Sequence, residues 1–421
     1  MRTLLCSIIL LLSCTGDLRA EPLSLEQALA KRGATSQTLK IAAYDERIAD
    51  EGIRLSRSAY LPQVDIQGGY TAQQAAQSVN SPFGSFAEQD PDFAFASLDI
   101  TQTIYDFGRT GARYNRALKT SEATRLNFKS QKQDVFLQTV ASYFLILQLQ
   151  KILQAADEEV AQMTDHLSVA QNLFEQGVVT RNDLLQAQVR LASSKQRRLE
   201  SSNRLENAWI DFDNQIGEPP EYRRELVEET KVYLTDREKP VSEVIASRTE
   251  VQAQQKLLEA NELAVKEARS NYFPEFFAKL GLDYVQNSKV TEQAIMSATV
   301  GLKVNIFDGL ATTSRLRQAV ENRARTDERL HQIETDLAVE YRIALNDAKV
   351  SKERIAVTET SIKQGEENLR INRDRYQEQV GTATDVIDAQ TLLTQIKNDN
   401  YQAIFDYEVA LARVKRARGE L

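Results

Sequence analysis

Cysteine is almost missing from this chain. Cys6 and Cys14 are the only two among 421 residues, and both lie in the N-terminal apolar region. Cleavage after Ala20 would leave no thiol at all, which excludes disulfides and Cys-ligated metals from the product. Histidine is as scarce: His166 and His331 each stand alone in a charge-rich helical pattern and are expected to be solvated, not to ligate a metal. Proline (8) and glycine (16) are few while charged residues reach 27%, a balance that suits long solvated helices better than a loop-rich enzyme. Positive charge is in deficit: the net charge is −8, without Lys/Arg clusters, so nucleic acid is not an expected partner. No phosphate-cradling loop, nucleophile elbow or metal-ligand spacing occurs, so no catalysis and no cofactor is expected.

Long apolar runs are also absent, save one. Met1-Arg2 followed by Leu4–Leu12 has the form of an export signal, too short to span a bilayer as a helix. Two exits from it are open. Cleavage after Leu18-Arg19-Ala20 is favoured, because a helical pattern starts at once with Leu23-Ser24-Leu25. The alternative, Leu11-Leu12-Ser13-Cys14, resembles a lipoprotein box and would leave Cys14 lipidated.

What is present is present twice. Leu61-Pro62-Gln63 is answered by Phe273-Pro274-Glu275, and Tyr105-Asp106 by Phe307-Asp308. The segment from Phe174 to Gln188, with Gly177, Thr180 and Asp183, is answered by Tyr376 to Gln390, with Gln379, Thr382 and Asp385. The last two pairs share an offset of about 202 residues, which marks an internal duplication. Each half reads as helix, two strands, then a long helical hairpin. The first repeat spans 21–217 and the second 240–421, with a connector at 218–239 opened by Gly217-Glu218-Pro219-Pro220.

Four segments break the helical pattern with period two: 61–77, 92–105, 273–286 and 293–307. In the last, Ala294, Met296, Ala298, Val300 and Leu302 share one face, and Ser297, Thr299, Gly301 and Lys303 the other. A lone soluble hairpin is marginal, whereas a membrane-spanning strand needs about 9–11 residues with lipid-facing and lumen-facing positions alternating. Tyr60, Tyr70, Tyr105, Tyr272 and Tyr284 fall near the strand ends, as an interfacial aromatic girdle requires. Four strands do not close a barrel with a bore, so spanning strands imply that several chains share one.

The helical hairpins, 108–216 and 309–418, contain no proline, and each long arm would run on the order of 100 Å. An apolar stripe (Val135, Tyr143, Phe144, Leu147; Ile333, Leu337, Leu345, Ile355) predicts side-by-side, coiled-coil-like packing. Shorter helices over 24–58 and 240–270 lead into the strand pairs. Turns are expected at 177–182 and 380–384, where Thr180 and Thr382 precede Asp183 and Asp385 by three, as helix N-caps with an acidic first turn do.

In order, Ser58-Ala59-Tyr60-Leu61-Pro62, Ile104-Tyr105-Asp106-Phe107-Gly108, Ser270-Asn271-Tyr272-Phe273-Pro274, Ile306-Phe307-Asp308-Gly309 and the two tip segments resemble the TolC-like outer membrane efflux protein family. The family comprises the outer membrane factors of tripartite efflux pumps and type I secretion. The resemblance covers essentially the whole chain after the signal. It implies a mainly α protein with membrane β: a homotrimer whose shared twelve-stranded β-barrel in the lipid of a Gram-negative outer membrane stands on a twelve-helix α-barrel tunnel through the periplasm. It implies a passive exit path for substrates expelled by an inner-membrane RND or ABC transporter through a periplasmic adaptor. By motif, Asp385 and Asp388 correspond to an acidic selectivity ring at the periplasmic gate, and Tyr376 and Asp183 to members of its latch. Gly177, Val178, Thr180, Val380, Gly381 and Thr382 correspond to the adaptor-docking tips. The family often has an arginine five residues after the latch tyrosine; here that place is Gly381, which leaves Arg181 or Arg375 to hold the closed state. The rival is a soluble periplasmic coiled-coil scaffold or an adaptor protein, neither of which needs four two-faced strands in a duplicated set.

Overall fold

The computed structural model describes residues 22–220, 223–228 and 238–421. The signal segment 1–20, with its cleavage site and Cys14, lies outside the described residues, as does much of the connector. In chain order the elements are α1 (Leu25–Thr35), α2 (Gln37–Ser58), β1 (Gln63–Ala72), β2 (Ser78–Ser81), β3 (Gly84–Ala87), β4 (Asp92–Tyr105), α3 (Arg109–Glu175), α4 (Arg181–Ile216), α5 (Val241–Ser247), α6 (Thr249–Ser270), β5 (Glu275–Val285), β6 (Ala294–Lys303), α7 (Ala311–Gln377) and α8 (Ala383–Ala417). Two compact units form, each from several stretches of chain. One takes in residues up to 36, 136–234 and 347–412; the other takes in 37–135, 235–346 and 413–421.

Several boundaries differ from those the sequence predicts. β1 ends at Ala72, where Gln73-Gln74 and a bend follow, and the chain then makes the small hairpin β2–β3 around Pro82-Phe83. β6 ends at Lys303, short of Phe307. The expected helix over 24–58 is two helices parted at Ser36, and that over 240–270 is two parted at Arg248. Neither break carries a proline or glycine at the break itself. Both residues are 1% exposed; Arg248 is extended (φ −70°, ψ 130°) and Ser36 leaves the helical region at φ −53°, ψ 118°.

The second unit holds a four-stranded antiparallel sheet in the order β1-β4-β5-β6. Its register sets Ile66 opposite Leu98, Ile100 opposite Leu280 and Leu280 opposite Ala298, which aligns the apolar positions of all four strands on one face. On the polar face, Lys279 pairs with Asp99 at 2.9 Å. Two glycines there have a packing reason. A Cβ at Gly69 would come within 2.7 Å of the Phe95 ring, and one at Gly301 within 2.7 Å of the Phe277 ring. In each case an aromatic ring lies over a cross-strand glycine and covers its bare backbone.

The repeated Tyr105-Asp106 and Phe307-Asp308 motifs are the joints between strand and long helix. The Asp106 carboxylate accepts from Thr110 N (2.8 Å) and Thr110 Oγ1 (2.5 Å); Asp308 accepts from Thr312 in the same way, at 2.9 and 2.7 Å. Each aspartate thus satisfies an amide that the first helical turn leaves unpaired. Between cap and helix the chain takes two successive positive φ angles, Phe107 (54°) with Gly108 (86°), and Gly309 (67°) with Leu310 (69°). Only glycine enters that region without steric cost, so each joint carries one.

Among the helices of this unit, Glu267 on α6 pairs with Arg113 (3.0 Å) and Arg116 (3.1 Å) on α3, and Val251 packs with Leu330 and Leu337. A charged cluster lies where α6 begins. Glu250 accepts from Arg248, from Arg416 (2.5 Å) and from Ser130 (2.8 Å), and Arg248 also donates to the Ala417 carbonyl at 2.8 Å. Arg248 is 1% and Arg416 5% exposed.

The first unit contains α1, α4 and the remaining lengths of α3, α7 and α8. Its core includes Tyr143, Phe144, Ile146, Phe212 and Ile216. Leu23 and Leu226 form a parallel bridge, and the Tyr143 hydroxyl is within hydrogen-bond reach of the Leu23 (3.0 Å) and Val227 (2.9 Å) carbonyls. The described part of the connector is therefore fixed to the start of the chain by backbone pairing and a buried tyrosine. α3 carries the one stretch among the described residues that is long and apolar enough, by length and composition, to cross a membrane. Tyr143, Phe144, Ile146 and Leu147 on it are buried in this core, as the apolar stripe of a packed helix would be.

Candidate functional site

α3 and α7 are 67 residues each, about 100 Å at the α-helical rise. Both end in turns that belong to the first unit. In the first turn Thr180 and Asp183 form a reciprocal capping box: Asp183 N donates to Thr180 Oγ1 (3.3 Å) and Thr180 N donates to Asp183 Oδ2 (2.9 Å). In the second, Thr382 N donates to Asp385 Oδ2 (3.0 Å) and Asp385 N to Thr382 Oγ1 (3.2 Å). The side chain–backbone exchange starts each return helix at the residue that the sequence spacing indicates.

The two turns differ at one position. Gly177, at φ 74°, is matched in the second tip by Gln379 at φ 62°. A side chain in the left-handed region costs about 1 kcal/mol or more. Gln379→Gly is therefore expected to steady the second tip, slowing amide exchange over residues 376–384 about fivefold. Unchanged or faster exchange would show that the glutamine side chain holds the turn. Gly381 sits tightly against Arg375: its amide donates to the Arg375 carbonyl at 3.0 Å, and a Cβ there would meet the Arg375 Cβ at 3.1 Å.

Asp385 and Asp388 are both exposed on the first turns of α8, while Ala383, Val386, Ala389 and Leu393 between and beyond them are buried with Leu369 and Tyr376. The two carboxylates thus share the solvent face of a helix whose other face is core. Asp385 is held below its ordinary pKa first by the Thr382 backbone amide, then by the Thr382 hydroxyl, so it is ionised at neutral pH. Arg181, Gly177, Val178, Thr180, Val380 and Thr382 are exposed, and Gly381 is half-buried.

Comparison with known proteins decides what this arrangement belongs to. Residues 25–218 and 241–420 match the outer membrane efflux protein family. The chain belongs to that family. It is 23% identical to the outer membrane protein TolC of Vibrio cholerae, over 91% of this chain and 88% of that one. To the alkaline protease secretion protein AprF of Pseudomonas aeruginosa it is 21% identical, over 90% and 81%. The crystal structure of the Vibrio cholerae outer membrane protein VceC superposes with a TM-score of 0.82 at 15% identity, covering 94% of this chain and 96% of that one. As an outer membrane efflux protein the chain is a transport conduit of the outer membrane and not an enzyme, and the soluble-scaffold reading falls away.

In this outer membrane efflux protein the tip residues matched to the latch are placed as follows. Asp183 is engaged in its own capping box. Tyr376 is 5% exposed, and its hydroxyl has no hydrogen-bond partner among the described residues. Its pKa is raised by burial and, to a lesser degree, by the Asp183 charge. Arg375 reaches the Val380 carbonyl at 3.4 Å, within its own turn. One sequence expectation is corrected here. His166 is not solvated: it is 7% exposed, with its ring centroid 5.3 Å from that of Tyr376, while His331 is exposed as expected. The polar residues around His166 hid its orientation, because the heptad register of α3 is too irregular to say which face is buried.

Proposed function

We propose that three copies of this chain close one twelve-stranded barrel and form a passive exit duct, joined at its helical tips by a periplasmic adaptor and an inner-membrane RND or ABC transporter. The observation that carries this reading is the open sheet. β1 and β6 are edge strands, and the apolar side chains of Ile66 (81% exposed), Met296 (78%) and Val300 (79%) have no cover among the described residues. Because neighbouring strands alternate in direction, β6 of one copy can pair antiparallel with β1 of the next, and head-to-tail pairing that closes removes every edge. The same chain exposes Ile41, Tyr44, Ile48 and Leu55 on α2, spaced by three, four and seven, a stripe that fits a second copy of the chain.

Transport through such a duct draws its energy from the inner-membrane partner, and the contribution of this chain is path, gate and docking surface. Asp385 and Asp388, repeated in three copies, put six carboxylates around the periplasmic mouth, a ring suited to cations. Residues 21–217 and 240–421 act as the two repeats of each copy, with Gly177, Val178, Thr180, Val380, Gly381 and Thr382 facing the adaptor and Tyr376, Asp183 and Arg181 near the latch.

The test is single-channel conductance of the purified protein in planar bilayers, with its mass in detergent. Discrete cation-selective openings from a trimer support the duct; a monomer that never inserts sinks it. Asp385→Ala with Asp388→Ala is expected to lower cation preference and relieve block by polyvalent cations. Unchanged selectivity would remove these two residues from the ring.

A further inference from the structure

Apart from placing Tyr376 near the latch, the conduit reading makes no use of a cavity of about 240 Å³ within the first unit, lined by Gln162, Asp165 and His166 from α3, Arg373 and Tyr376 from α7, and Val386 from α8. Its polar groups are oddly unsatisfied. His166 Nε2, the Tyr376 hydroxyl and Gln162 Oε1 are all buried and without hydrogen-bond partners among the described residues. A buried polar group left unpaired costs about 1–3 kcal/mol, so three around one cavity mark a place where something polar completes the set. The volume is several times that of a water molecule.

The charges around the cavity choose the occupant. Arg373 brings a permanent cation, and its guanidinium makes only a long 3.5 Å contact to Gln390 Oε1 among the described residues. The Tyr376 hydroxyl is a donor, and a protonated imidazole donates through Nε2. Opposing them, Asp165 is exposed at the rim and Asp183 on α4 acts on the tyrosine only by charge. Val386 from α8 brings no charge. With His166 protonated, Arg373, Tyr376 and His166 all present donors, and Gln162 Oε1 is left to accept from water.

We propose that this cavity is a binding site for a small carboxylate anion, taken up together with a proton on His166. The carboxylate accepts from the Arg373 guanidinium, the Tyr376 hydroxyl and His166 Nε2, and so bridges α3 and α7. Without an anion, burial and then the Arg373 charge hold His166 in its neutral form below its ordinary pKa, because a second cation beside Arg373 is unfavourable. An anion cancels that repulsion, so anion and proton binding are linked and each strengthens the other.

The chain has only two histidines, and His331 is an exposed internal control. The experiment is therefore NMR titration of the full-length protein, ¹³C-labelled at histidine, in detergent, with sodium acetate against sodium chloride at equal ionic strength. The expected result is that acetate moves the His166 midpoint up by about one pH unit, the shift produced when the protonated form binds the anion roughly tenfold more tightly. His331 stays in place, and Arg373→Gln abolishes the shift. Tyr376→Phe, which keeps the ring, is expected to reduce it. A His166 midpoint identical in acetate and chloride, or equal movement of both histidines, would overturn the site. None of these readouts requires pore formation, so the titration and the bilayer experiment fail independently.

Discussion

Glu250→Gln is expected to destabilise the protein by about 3–5 kcal/mol, the usual cost of removing one partner from a buried ion pair. The carboxylate is the counterion of two guanidinium groups that are almost fully enclosed. Arg248 reaches it at 2.8 Å and Arg416 at 2.5 Å. Glutamine keeps one acceptor, replaces the other by a donor facing an arginine, and removes the charge. Burial by itself would raise the Glu250 pKa, but the Arg248 hydrogen bond and the charges of Arg248 and Arg416 outweigh it and hold the carboxyl well below the usual carboxylate range. The unfolded chain therefore binds a proton first as acid is added. The stability that Glu250 supplies is complete above its ordinary pKa of 4.5 and is lost progressively as pH falls below it. Thermal melts of the detergent-solubilised protein should show a much lower midpoint for the variant at pH 7 and a flatter response to acid than the wild type. Asp134→Asn is the control: Asp134 pairs with the same Arg416 at 2.7 Å, but its side chain is 59% exposed, so its loss should cost no more than about 1 kcal/mol. Equal costs for the two variants would defeat the argument from burial.

Asp213→Asn is expected to act in the opposite direction, stabilising the protein at pH 7.5 by about 2–3 kcal/mol, the equivalent of the rise in the Asp213 pKa on folding. Asp213 lies on α4 beside Phe212 and is 2% exposed, with its Oδ2 unpartnered among the described residues. Burial raises its pKa from 3.8 to about 6; the Arg223 charge pulls the other way, and Glu218 and Glu206 add to the rise. The folded state thus binds the proton more tightly than the unfolded one. The resulting stability is fully present below pH 3.8 and is lost as pH rises through 6, so at neutral pH the native protein carries an unfavourable buried charge. Asparagine imitates the protonated acid and removes that penalty. Its backbone carbonyl still accepts from the Gly217 and Glu218 amides, which close the helix. Melting curves should separate the variant from the wild type at pH 7.5 and bring them together toward pH 4. A variant no more stable at pH 7.5 would mean that the ionised carboxylate is satisfied in the native protein.

Much of the architecture is legible in the sequence because it rests on neighbours along the chain. Alternation places Met296, Val300 and Leu302 on one face of a strand whatever lies beyond it. The Thr180/Asp183 and Thr382/Asp385 spacings meet the needs of amides within the same turn. The small hairpin β2–β3 was missed, although Ser81-Pro82-Phe83-Gly84 is a turn signal in the stretch between the strands expected at 61–77 and 92–105.

What the sequence by itself determined about this outer membrane efflux protein is therefore its local order: two-faced strands, uninterrupted long helices, the caps that turn them and the joints that start them. Only the tertiary structure decided where helices break, which charges are buried and what they meet. Arg416 finds Glu250 across 166 positions, Arg248 interrupts a helix to reach the Ala417 carbonyl, and His166 turns inward to Tyr376. The physical reason is the range of the forces involved. Periodicity and capping act within a few residues, whereas desolvation of a side chain depends on segments that the fold alone brings together.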